Sequence, residues 1–205
     1  MHIEAVLFDF GGVISTSPFE AFTRYEQEHS LPDGFLRMVN SANPHANAWA
    51  KLERCEIDLE SFDQIFAQES EALGHRVDGF EVLALLSGDL RPEMVQVVHR
   101  CAEEMKVALL TNNVMGSMND PQLSDLLSVF DVVVESSVVG FRKPEPQFYE
   151  YACEHLAVSP HNAVFLDDLG INLKPARAMG MRTIKVTDPG VAIDELQSMV
   201  GFALR

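Results

Sequence analysis

Apolar positions along this chain follow two different spacings, and the two divide it unevenly. In the second half, short β-rich runs at Val107–Leu110, Val132–Glu135, Ala163–Leu166 and Thr183–Val186 alternate with helical periods. That alternation predicts βαβ units and a parallel sheet. Val6-Leu7-Phe8, running into Asp9, reads as a strand that precedes them. Met94, Val97, Val98, Cys101, Ala102 and Met105 recur at i, i+3, i+4, i+7, i+8 and i+11, one face of a helix that packs on the sheet. A second helix carries Phe148, Tyr151, Ala152, His155 and Leu156 after Pro144-Glu145-Pro146. Asn172 is expected to cap a third, with Pro175 in its first turn and Gly180 as a left-handed stop.

Residues 16–90 differ. Phe19, Phe22 and Tyr25, then Leu59, Phe62, Ile65, Phe66 and Leu73, are helix-spaced, and no strand pattern interrupts them. Asn43-Pro44-His45-Ala46-Asn47 is the clearest loop, and Arg91-Pro92 a return point to the sheet. The expected organisation is an α/β core of residues 1–15 and 91–205, with an all-helical insertion at 16–90. Phe19, Phe22, Phe35, Met38, Trp49, Phe62 and Phe66 are either the packing face of those helices or the lining of an apolar pocket.

Composition narrows the function classes. At 205 residues and 47% hydrophobic content the chain can bury a sizeable core. Fifteen Lys+Arg against thirty-one Asp+Glu give a net charge of −16, which argues against nucleic acid and anionic membranes as partners. The first residues lack a signal-peptide pattern and no apolar stretch is long enough to span a bilayer, so a cytoplasmic location is expected. Cys55, Cys101 and Cys153 form no CxxC pair, and the seven histidines show no metal-ligand spacing. Neither a disulfide framework nor a zinc site is expected. An acidic surface neither requires nor forbids a dimer, so the oligomeric state stays open.

The chemistry-bearing residues sit where apolar runs end: Asp9, Thr111-Asn112, Arg142-Lys143-Pro144 and Asp167-Asp168. Outside the carboxyl ends of parallel strands such side chains converge. A carboxylate, a hydroxyl, a lysine and a carboxylate pair are what a magnesium-dependent phosphoryl-transfer site requires.

The segments Phe8-Asp9-Phe10-Gly11-Gly12-Val13-Ile14, Val139-Gly140-Phe141-Arg142-Lys143-Pro144-Glu145-Pro146 and Phe165-Leu166-Asp167-Asp168-Leu169-Gly170-Ile171-Asn172-Leu173-Lys174, with Thr183–Val186 through Gly201-Phe202, resemble the haloacid dehalogenase-like (HAD) hydrolases. More narrowly they resemble the phosphatase-like domains joined to soluble epoxide hydrolase and to certain acyl-CoA dehydrogenase fusions. The resemblance covers essentially the whole chain. It implies a Rossmann-like parallel-sheet core with an inserted α-helical (C1-type) cap, and a phosphatase of small phosphorylated molecules.

By that resemblance Asp9 is the nucleophile that forms an aspartyl-phosphate. Thr111 and the Asn112 backbone hold the phosphoryl oxygens, and Lys143 offsets the shared negative charge. Mg²⁺ is held by Asp9, the carbonyl of Gly11 and Asp168, with Asp167 as a ligand directly, through water, or from behind. Asn172 braces the Asp167-Asp168 loop or caps the next helix.

One position departs from the pattern. Most phosphatases of this kind carry a second aspartate two residues after the nucleophile, as general acid and then base; here it is Gly11. Ser15, Thr16 and Ser17 are poor acids at neutral pH, and His45 is a further candidate. Three readings follow: a slow magnesium-dependent phosphatase that favours good leaving groups, a module that holds phosphorylated ligands, or a haloacid dehalogenase. The retained Asp167-Asp168 pair weighs against the third.

Overall fold

A computed structural model describes residues 2–205; Met1, the first residue of the expected core segment, lies outside the described residues. Five strands, β1 (Ala5–Phe8), β2 (Lys106–Thr111), β3 (Val132–Glu135), β4 (Ala163–Asp167) and β5 (Arg182–Lys185), form one parallel sheet in the order β3-β2-β1-β4-β5. Predicted and observed strands differ by one residue at most at either end, except that β5 is shifted one residue toward the N-terminus.

The central strands are continuous apolar runs because both of their faces are buried. Val6, Phe8, Leu109, Val164, Leu166 and Ile184 point to one side. There they meet Met94, Val97 and Val98 of α6 (Pro92–Ala102), and Ile193 and Leu196 of α11 (Pro189–Val200). Ala5, Leu7, Ala108, Leu110 and Phe165 point the other way, against α9 (Pro146–Leu156) and α10 (Gly170–Ala178). Two short helices, α7 (Ser124–Leu127) and α8 (Ser136–Val139), flank β3. Met105 lies beyond the end of α6, in the turn that leads into β2.

Five helices fill the stretch between β1 and α6: α1 (Pro18–Glu28), α2 (Phe35–Ser41), α3 (Ala48–Glu53), α4 (Leu59–Ala72) and α5 (Gly79–Ala84). They bury a core of their own built on Phe22, Phe35, Trp49, Phe62 and Phe66. Those five aromatics are therefore packing residues; Met38 is exposed and Phe19 only partly buried. The helical stretch begins and ends at one place. Ser15 and Leu90 form an antiparallel bridge, and Thr16 N donates to Asp89 O at 2.9 Å.

Of the two roles expected for Asn172, the brace on the Asp167-Asp168 loop is found and the helix cap is not. Helix α10 starts at Gly170 with Leu169 at its N-cap, three residues before the expected cap, and the Asn172 amide inside the first turn donates back to Asp167. Pro175 consequently sits in the helix interior, where its missing N–H removes one backbone bond. Gly180 does adopt a positive φ of 97° just past the end. Cys101 and Cys153 are buried and Cys55 is exposed; all three are free. Among the described residues no helix is long and apolar enough to cross a membrane.

Candidate active site

Strand order reverses between β1 and β4: the chain runs β1, β2, β3 to one side and returns for β4 and β5 on the other. A crevice at the carboxyl ends of strands forms at such a point. Asp9 follows β1, its backbone N–H donating to Leu166 O at 2.9 Å, and its Oδ1 accepts from Phe10 N at 2.7 Å. The chain then winds through the tight turn Phe10–Ile14, with Gly11 at φ −67°, ψ 129°.

Lys143 reaches the crevice from the loop between α8 and α9. Its side chain is 1% exposed, and the ammonium lies 2.7 Å from Asp9 Oδ1 and 2.9 Å from Asp167 Oδ2. Asn112, just past β2, clasps the backbone of the same residue from both sides. Lys143 N donates to Asn112 Oδ1 and Asn112 Nδ2 donates to Lys143 O, each at 2.9 Å. The next-door Thr111 is buried at the end of β2. Asn112 was expected to act through its backbone; its side chain has this further task.

Asp167, the last residue of β4, is fully buried and its oxygens are heavily engaged. Besides Lys143 they accept from Leu169 N at 2.8 Å and from Asn172 Nδ2 at 3.0 and 3.1 Å. Asp168 is half-buried, with the Ser17 hydroxyl 3.5 Å from its Oδ2. It lies directly over Gly12: a Cβ at that position would stand 2.3 Å from Asp168 Oδ2. Gly12 also has φ +77°, so both the backbone and the neighbouring carboxylate demand glycine.

One oxygen from each of Asp9, Asp167 and Asp168 lies within 4.8 Å of the others. Three carboxylates against one ammonium would leave two negative charges in a largely buried pocket. Burial accordingly pushes the Asp9 pKa well above the usual aspartate range; Lys143 opposes this and Asp167 adds to it. Burial, then the Asp167 charge, raises Asp168 to about 6. Burial disfavours the Lys143 ammonium, but the two facing carboxylates outweigh that and raise its pKa. The donor set is all hard oxygen and its surplus charge is negative, which fits a divalent cation such as Mg²⁺. Asp9 and Asp168 have oxygens to offer, whereas Asp167 is already tied to its neighbours.

The structure thus brings Asp9, Lys143, Asp167 and Asp168 together, with Gly11 and Gly12 in the turn beneath and Thr111 and Asn112 on the adjoining strand end. His45 is exposed and is bound through its carbonyl, which accepts from Arg54 Nη2 at 3.1 Å. The Ser15 hydroxyl faces Phe10 O and Thr16 O, at 3.4 and 3.3 Å.

Two supports were not foreseen. The buried Tyr149 hydroxyl donates to Asn172 O at 2.6 Å, propping the residue that holds Asp167. Asn113 Nδ2 donates to Glu135 Oε2 at 2.6 Å and its Oδ1 accepts from Ser137 Oγ at 2.9 Å, pinning the loop after β2 to the end of β3. Tyr149 occupies an ordinary core position of α9, so nothing local marks its polar role. Asn113 follows Asn112 directly, and that doublet at a strand end was the available signal.

A family model described as haloacid dehalogenase-like hydrolase matches residues 3–180. Acyl-CoA dehydrogenase family member 10 of Mus musculus is 34% identical over 98% of this chain and 19% of its own length. Bifunctional epoxide hydrolase 2 of Mus musculus is 30% identical over 98% of this chain and 39% of its own. The chain therefore spans well under half of either. A phosphatase of Mycobacterium tuberculosis is 33% identical, with 95% of this chain and 92% of that one aligned. Among solved structures, a HAD family enzyme from Bacteroides thetaiotaomicron in complex with magnesium and inorganic phosphate shares the fold. Its TM-score is 0.62 at 19% identity, with 89% of this chain and 93% of that one covered.

Proposed function

Because the chain belongs to the haloacid dehalogenase-like hydrolase family, we propose that it is a magnesium-dependent phosphatase of small phosphorylated molecules. The observation that carries this reading is the buried Asp9–Lys143–Asp167 contact with Asp168 beside it, at the carboxyl ends of β1 and β4. We assign residues 1–15 and 91–205 to the core domain and 16–90 to a helical cap over it.

In this reading the Asp9 carboxylate attacks phosphorus, the bond to the leaving oxygen breaks, and an aspartyl-phosphate forms; water then attacks that phosphorus and frees Asp9 and phosphate. Lys143, whose pKa the facing Asp9 and Asp167 carboxylates raise, offsets the charge shared by Asp9 and the phosphoryl group. Its position is set by Asn112 through the backbone and by Asp167 through the ammonium. The Thr111 hydroxyl and the Asn112 backbone N–H receive the phosphoryl oxygens. Asp9, the Gly11 carbonyl and Asp168, backed by Asp167, would hold Mg²⁺, which supplies positive charge at those oxygens.

Gly11 brings no proton to the leaving group. General acid–base catalysis is worth about 10²–10⁴-fold, so turnover is slow, and anomeric or acyl phosphates, which leave without help, are favoured. The same glycine supports a second reading, a module that binds phosphorylated ligands without hydrolysing them. The magnesium-seeking carboxylates weigh against a haloacid dehalogenase.

Phosphate release from p-nitrophenyl phosphate, with and without magnesium, separates these readings when Asp9→Asn is assayed in parallel. Magnesium-dependent release that the mutation abolishes, with the fold intact by circular dichroism, is the expected result. Undiminished release by Asp9→Asn would exclude Asp9 as nucleophile. Ligand binding without release would favour the binding module.

A further inference from the structure

Beyond the Asp9 centre, one cleft joins the helical segment to the sheet. It has a volume of about 270 Å³, and Asp168 and Gly12 form part of its wall. Arg37 of α2, Arg91 at the start of α6 and Lys185 at the end of β5 also line it, three cations from three separate parts of the chain.

Acidic residues outnumber basic ones two to one in this protein. Yet among the described residues none of the three has a carboxylate within ion-pair distance, although Glu20 and Asp168 line the same cleft. The contrast with a cleft of similar size at the far end of α6 is direct. There Arg100 is paired with Glu103 and Glu104, and Arg205 with Asp194.

Two of the three cations are also held in place without their charge being answered. The Arg37 guanidinium carbon lies 4.3 Å from the centroid of the Phe19 ring, a cation–π contact that does not answer its charge with a carboxylate. Arg91 uses Nε on Ser15 O at 3.1 Å, and its terminal nitrogens remain available. A concave site with three unanswered cations, two of them held in place, is complementary to an anion.

We propose that this cleft is a second anion subsite that takes a further phosphoryl group of the same substrate, so that the preferred substrates are small molecules carrying two phosphoryl groups. The inference rests on the phosphatase reading above, because Asp168 joins the cleft to the centre where the transferred phosphoryl group would lie. Lys185 and Arg37 then reward the second group, and a simple monoester leaves them unused. Charge-assisted hydrogen bonds of this kind give about tenfold or more in affinity.

The test compares kcat/KM for fructose 1,6-bisphosphate and fructose 6-phosphate, with magnesium, in the wild type and in the Arg37→Gln/Lys185→Gln double variant. The expected result is a wild-type preference for the bisphosphate of about tenfold or more. It should fall toward unity in the double variant while p-nitrophenyl phosphate turnover stays within about twofold. A missing preference in the wild type, or one that survives the double substitution, overturns the subsite. If the wild type fails to hydrolyse p-nitrophenyl phosphate, the phosphatase reading is what falls. The ratio of calorimetric Kd values for the same two sugar phosphates, wild type against double variant, then decides the subsite by the same criterion.

Discussion

Gly11 and Gly12 stand side by side and are glycine for opposite reasons. At Gly12 an added Cβ would collide with Asp168, and φ is +77°. At Gly11 a Cβ would meet nothing within 4 Å, and φ −67° with ψ 129° suits any residue. Gly11→Asp should therefore fold without repacking and supply the missing proton donor, raising turnover by about 10²-fold, the low end for general acid catalysis. Steady-state rates on p-nitrophenyl phosphate and on an alkyl phosphate check this, with the larger gain expected for the poorer leaving group. An unchanged or lower rate with magnesium still bound would defeat the explanation.

Asp168 gives a pH dependence at the same scale. Its folded pKa of about 6 exceeds the ordinary 3.8, so between those values the folded chain keeps a proton that the unfolded chain has lost. Stability of the metal-free protein contributed by this group is therefore lost as pH rises through that window. A bound cation replaces the proton, so magnesium should raise the melting temperature more at about pH 7.5 than at about pH 5. Equal shifts at both pH values would contradict this.

Between elements, α3 meets the loop that carries Lys143 through two ion pairs. Glu53 pairs with Arg142, each side chain only 15% exposed, and Arg54 pairs with Glu145 at 3.1 Å. Burial raises the Glu53 pKa and Arg142 counters it. Glu53→Ala would leave the guanidinium without its partner and should destabilise the protein by about 3 kcal/mol. Hydrogen exchange should quicken in α1–α5 more than in the sheet; a uniform change, or none, would count against a contact that docks the helices.

These pairs also mark where sequence reading stops. The strands were legible because Val6-Leu7-Phe8 or Val164-Phe165-Leu166 can be buried on both faces only inside a parallel sheet, and the polar residues that end them must then share one rim. Glu53 and Arg142 are 89 residues apart, and neither has a local pattern that names the other. Helices α2, α3, α5, α7 and α8 are 4 to 7 residues long and depend on packing rather than on period. Asn172 fitted a cap or a brace by residue type alone; only its burial beside Asp167 decides for the brace.

At the scale of the whole molecule, a charge of −16 on 205 residues makes the folded state repel itself. Adding sodium chloride from low to physiological concentration should therefore raise the melting temperature by about 2–4 °C, the shift that about 1 kcal/mol gives a chain of this size. A flat or falling trend in a salt titration would show that local ion pairs, which salt weakens, outweigh the overall repulsion.

Ser15 facing Leu90, with Thr16 bound to Asp89, means that the chain leaves the sheet and rejoins it at nearly the same point. Whatever lies between those residues hangs from a single stem, and its length places no demand on the spacing of β1 and β2. On the proposed cap assignment, the helical portion can be exchanged at that stem, at the cost of the Glu53–Arg142 and Arg54–Glu145 pairs. A laboratory graft at the same stem would leave the sheet and its three clustered carboxylates, Asp9, Asp167 and Asp168, in register below.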